Sequence, residues 1–203
     1  MAAIRAIFER QLDKKESREE EEEWTVITIM SGKMIKVIQD TLKQEQEKFG
    51  HSVIHHHEVW DLPDKIRADF VTGRLEEILK VISEGIDDPP ATIVAKGASQ
   101  EHCRRNCLVH CARGVSRSAA VCAAWLISRQ RYSLSESLDL LRSVREVNPN
   151  MGFLAGLRAI ETCNGNILQA QQRLLAHKDK HENANEESAG ANKRILDCDE
   201  VNC

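Results

Sequence analysis

Between Val109 and Ala120 the chain reads VHCARGVSRSAA, with Arg117 six positions after Cys111. A short apolar run leads in and a helical pattern leads out. An anion at that junction would meet the backbone N–H groups of Ala112, Arg113, Gly114, Val115, Ser116 and Arg117 curled as a nest, with the positive end of the next helix behind them. Gly114 lets the chain turn without a side chain filling the cradle. Arg117 offers a planar fork that fits two phosphoryl oxygens, which lysine cannot imitate. The same dipoles favour thiolate at Cys111, so its pKa is expected below the free-cysteine value of about 8.5. A thiolate beside a phosphoryl group is placed for in-line attack, giving a cysteinyl-phosphate. Ser118 can then donate to the sulfur and stabilise it as the leaving group when water cleaves that intermediate. This chemistry needs no metal, nucleotide or other cofactor.

The surrounding sequence supplies elements to hold the loop. WTVITIM from Trp24 reads as a buried strand, Ser31 to Gly50 as a helix, and HSVIHHHEVWD as a second strand. Ile66, Phe70, Leu75, Ile78, Leu79 and Ile82 recur with a helical period that ends at Gly85. Residues 86–106 carry Asp-Pro-Pro and charge without periodicity and read as a loop or insertion, with a brief strand at Thr92 to Ala95. CLVHC is a third strand. Helices follow over Ala119 to Arg131, Leu134 to Val147, Met151 to Cys163 and Asn166 to His177, with Leu134, Leu138, Leu141 and Val144 on one face of the second. Strands alternating with helices predict an α/β domain with a central, mostly parallel sheet flanked by helices. Residues 1–23, with five consecutive glutamates, form a polar acidic segment, and 178–203 are expected to be a disordered tail.

Bulk composition narrows the function classes. In 203 residues, 28 basic and 32 acidic side chains are interspersed for a net charge of −4, so no global field points to nucleic acid or an anionic membrane. The longest uncharged apolar stretch, Ser118 to Ser128, is too short to span a bilayer, and MAAIRAIFERQ has no signal-peptide core. The expected location is the cytoplasm, with the nucleus also open. Seven cysteines, an odd number without a secretory signal, are expected to be reduced. Cys103 and Cys107 near His102 and His110 lack a second zinc knuckle. His55, His56 and His57 alternate faces on a strand and cannot share one ion. No metal is expected.

VHCARGVSRS resembles the signature of the protein tyrosine phosphatase superfamily, specifically its small, atypical dual-specificity phosphatases. AAWLISRQRYSLSESLDLLRSVREVNPNMGF is similar to that family's run of two helices ending in Pro-Asn-x-Gly-Phe. The resemblance is strong from Asp61 to Ile160 and implies a catalytic domain over residues 24–177. It implies hydrolysis of phosphotyrosine and phosphoserine or phosphothreonine in protein substrates, with His110 supporting the cysteine and Asn150 bracing the loop. The leaving alkoxide needs a proton. In VWDLPDKIRADF the resemblance makes Asp61 the acid and Phe70 the aromatic that opens a helix, with Asp64 as competitor; Glu58 and Asp69 fall on the strand and the helix. The chain departs from the family twice. Its 50 positions from Asp61 to Cys111 exceed the family's spacing, which the 86–106 insertion explains, and residues 1–23 do not supply the family's first strand.

Other readings remain open at this stage. The cradle could bind phosphate without turnover, as an interaction module, or act on phosphoinositides, RNA 5′-phosphates or glycogen. Arg113 adds one charge that favours acidic substrates. Cys103, Cys107 and Cys122 are the thiols available to pair with an oxidised Cys111. ETCNGNILQAQQRLLAH is faintly similar to a ubiquitin-associated hairpin; plain packing helices are the simpler expectation.

Overall fold

A β-branched run without turn formers favours an extended chain buried on both faces, and in the computed structural model it becomes the central strand. The structure describes residues 22–49, 54–66, 69–86 and 104–178. Strand β1 (Glu22–Met30) lies between β2 (Ile54–Asp61) and β3 (Arg104–Cys111), all parallel. In register, Met30 pairs with Asp61 and Ile29 with Cys111. The ends of β2 and β3 therefore emerge together beside the end of β1. Crevices outside the carboxyl ends of parallel strands are where such sheets bind ligands.

Helix α1 (Met34–Phe49) follows β1, and α2 (Gly73–Ile86) follows β2. Beyond β3 come α3 (Arg117–Gln130), α4 (Leu134–Val144), α5 (Met151–Thr162) and α6, helical over residues 167–178. Alternation along β1 sends Ile27 and Ile29 into the larger apolar cluster, which α2 to α6 build, and Val26 and Met30 into a smaller one under Ile38 and Leu42 of α1. Helix α3 is small-residue-rich and buried almost all round, Ala119 to Ala124 included apart from a half-buried Cys122. It forms a rigid post under the loop.

Several boundaries differ from the sequence reading. Both β1 and β3 begin earlier than expected, at Glu22 and Arg104, because the parallel ladder between them already runs from the Glu22–Arg104 register position. Helix α2 starts at Gly73, not Ile66; Ile66 is 66% exposed, while Phe70 and Val71 are buried in the approach. Residues 62–66 instead form a loop, described below, whose contacts compete with helix. Helix α4 stops at Val144, which is 82% exposed and not on the apolar face; Val147 is buried beyond the helix. Asp69 likewise precedes α2 and is not part of it. The acidic residues 1–21, the strand expected at Thr92 to Ala95, His102, Cys103 and the tail from 179 lie outside the described residues. No described helix is long and apolar enough to cross a membrane.

Candidate active site

Cys111 ends β3, and α3 begins six residues later at Arg117. The turn between them requires Gly114, whose φ is +70°. It folds back so that Gly114 N–H donates to Cys111 Sγ at 3.2 Å, and Ser118 Oγ lies 3.3 Å from the same sulfur. Burial works to raise the Cys111 thiol. The Ser118 hydroxyl and the N–H groups of Ser118, Gly114 and Arg113 outweigh it, leaving the group below a free cysteine. Two neighbouring thiols behave oppositely: burial pushes Cys107 up to about 12 and Cys122 up to about 11. Only the first of the three sits where backbone donors converge.

The N-terminus of α3 has no side-chain cap, although Ser116 stands at the capping position. Its hydroxyl is engaged elsewhere, donating to Asp64 Oδ1 at 2.8 Å and accepting from Asn150 N–H at 3.2 Å. The first-turn donors are thereby left for an anion. Arg117 is buried; its guanidinium donates to the Leu62 carbonyl at 3.4 Å, and its Nε, 3.8 Å from Asp64 Oδ2, has no hydrogen-bond partner. Ala112 and Arg113 are exposed at the rim, with Val115 half-buried. Val115 is fixed from outside by Asn148 N–H on its carbonyl at 2.8 Å.

Beneath the loop, His110 is buried and its Nε2 lies 2.7 Å from Thr28 Oγ1, which in turn lies 2.9 Å from His57 Nε2. Burial pushes His110 down to about 4 and lowers His57. Both are neutral at neutral pH. His56 points outward to Glu58, so these two histidines do take opposite faces of the strand. Glu58 is committed to Arg74.

A family model described as the catalytic domain of dual specificity phosphatases matches residues 25–163. The chain belongs to the dual specificity phosphatase family. It is similar to mouse dual specificity phosphatase 28, 45% identical over 67 residues, which make up 32% of this chain and 39% of that protein. Human dual specificity protein phosphatase 4 is 35% identical over 75 residues, 36% of this chain and 16% of that protein. These matches thus span well under half of either relative. Among solved structures, the Yvh1 phosphatase domain from Chaetomium thermophilum aligns over 75% of this chain and 84% of its own with a TM-score of 0.50 at 23% identity, a likeness of fold.

Within this family member, the residues expected in one place mostly assemble. Cys111, Arg117, Ser118, His110, Ser116 and Asn150 surround or support one loop. Asp61 is exposed at the end of β2, beside Leu62, whose carbonyl meets Arg117. Phe70 precedes α2 by three residues and is a core residue stacked on Trp60 at 6.1 Å and against Phe153 at 5.1 Å. Sequence reasoning missed Thr28 and Arg145. Thr28 lies 82 positions from His110 and carries no local signal. Arg145, whose NH2 group donates to the Arg113 carbonyl at 3.3 Å, lies over Gly114 and adds a second cation to the rim.

Proposed function

We propose that this chain is a metal-independent protein phosphatase that hydrolyses phosphotyrosine and phosphoserine or phosphothreonine through a cysteinyl-phosphate. The observation that carries this reading is the Cys111 sulfur, held among backbone donors and lowered below a free thiol, at the mouth of a cradle backed by Arg117.

The phosphoryl oxygens take the N–H groups of the loop and the fork of Arg117. Cys111 thiolate attacks phosphorus, the bond to the substrate oxygen breaks, and Asp61 gives that oxygen its proton. Water then attacks phosphorus while Asp61, now ionised, takes the water's proton. The phosphorus–sulfur bond breaks, and the electron pair returns to Cys111, stabilised by Ser118 at 3.3 Å. Neutral His110 and the Thr28 hydroxyl hold the strand end without adding charge below the thiolate. The exposed guanidinium groups of Arg113 and Arg145 make the rim cationic, which suits phosphorylated, acidic segments of protein substrates.

Hydrolysis of an aryl phosphate by wild type and by Cys111→Ser tests the reading. Turnover only in the wild type is expected, while equal residual activity in the variant would sink it.

A further inference from the structure

We propose that Asp64 is a latch that holds the loop 62–66 down on the phosphate cradle, thereby aiming Asp61 at the leaving oxygen, and is not itself the proton donor. This rests on the phosphatase reading above and assigns work to a carboxylate that the sequence leaves as Asp61's rival.

The hydrogen bonds fix their own directions. Asn150 Oδ1 accepts from Phe153 N–H at 3.0 Å as the cap of α5, so its amide NH2 must be the group facing Asp64 Oδ1 at 2.8 Å. Ser116 Oγ already accepts the Asn150 backbone N–H at 3.2 Å, and its own proton goes to the same Asp64 oxygen at 2.8 Å. Asp64 Oδ1 thus receives two donors and closes a ring of three residues, while Oδ2 faces Arg117 Nε at 3.8 Å. Oδ1 is thus occupied within the protein, while Oδ2 makes only a longer ion-pair contact and the side chain stays partly exposed.

The loop is pinned on either side of that ring. At its start, Leu62 N–H donates to the Met30 carbonyl at 2.8 Å, and the Leu62 carbonyl accepts from Arg117 at 3.4 Å. At its end, the Ile66 carbonyl presses on the first turn of α5, where a Cβ added to Gly152 would lie 1.9 Å from its oxygen. Three pins over five residues leave Asp61, adjacent to the first, little freedom of approach. A misplacement of about 1 Å costs proton transfer far more than phosphate capture.

The test is a series of aryl phosphates with good and poor leaving groups, run with pH profiles on wild type, Asp61→Asn, Asp64→Ala, Asp64→Asn and Gly152→Ala. Asn keeps an acceptor oxygen where Asp64 has one. For Asp64→Ala the expected result is a fall in kcat of about tenfold on poor leaving groups, a much smaller fall on good ones, and a retained basic limb. Asp64→Asn restores most of that loss, and Gly152→Ala reproduces the Asp64→Ala pattern from the other end of the loop. Two results overturn the latch: Asp64→Asn as damaged as Asp64→Ala with its basic limb gone, or Asp64→Ala within about twofold of wild type on poor leaving groups. Cys111→Ser run alongside separates the levels, since a wild type no faster than that variant removes the phosphatase reading itself.

Discussion

The cradle that follows Cys111 and the loop 62–66 that follows Asp61, the proposed acid, stand side by side beyond the ends of β3 and β2, but they are held in different ways. The bonds that shape the thiol pocket reach three residues from Gly114 and seven from Ser118. Those that hold the acid loop to the cradle and to α5 reach 52, 55 and 86 residues along the chain. A strand, a glycine turn and a helix N-terminus make the thiol pocket, while Asn148, Asn150 and Arg145 brace the outer side of the cradle from beyond α4. The acid loop has no regular structure between Leu62 and Ile66 beyond its bonds to partners elsewhere. On the proposed mechanism, nucleophile activation is therefore largely a local property, whereas delivery of the proton is a property of the tertiary fold.

The sharpest way to break this comparison is to damage the cradle alone. Arg117→Lys keeps the charge but loses the fork and is expected to lower kcat/KM by about a thousandfold or more on every aryl phosphate, whatever its leaving group. A loss confined to poor leaving groups would show that the arginine serves the acid loop instead. Next comes Asp61→Asn, for which a fall of about a hundredfold is expected on poor leaving groups, with a small effect on good ones and loss of the basic limb of the pH profile. A retained basic limb would move the donor elsewhere.

A smaller effect sharpens the comparison from below. His110 and His57 have lowered folded pKa values, so their neutral burial stabilises the fold fully above about 6.5. That contribution is lost as pH falls from there toward about 4 for His110. Unfolding free energy should drop by up to about 3 kcal/mol across that window. His110→Asn should flatten the drop when stability is followed by denaturant titration, and an unchanged slope would remove the histidine from the cradle's support.

What the sequence made legible follows the same division. The cysteine, the arginine and the turn glycine announce themselves because each is required at a set offset from the others along one strand–turn–helix unit. The apolar faces of α2 and the strand at β1 were readable because burial imposes periods on neighbouring residues. The start of α2 was not: Ile66 fits the helical period, but its carbonyl is held against Gly152 of another helix. Val144 fits a helical face too, yet α4 ends there as the chain turns to bring Asn148 to the loop. Thr28 beneath His110 and the bonds to Asp64 depend on strand order and helix placement, which no spacing encodes.

The central claim is most directly tested by trapping the intermediate. On the proposed mechanism Asp61→Asn lacks the group that activates water for the second step, so it should accumulate phosphoenzyme during turnover of para-nitrophenyl phosphate. After acid quench and proteolysis, mass spectrometry should find a phosphoryl group on Cys111, absent when Cys111→Ser is added to the same variant. Nitrophenol release at the wild-type rate with Cys111 unmodified, or a phosphoryl group carried on another residue, would contradict the account.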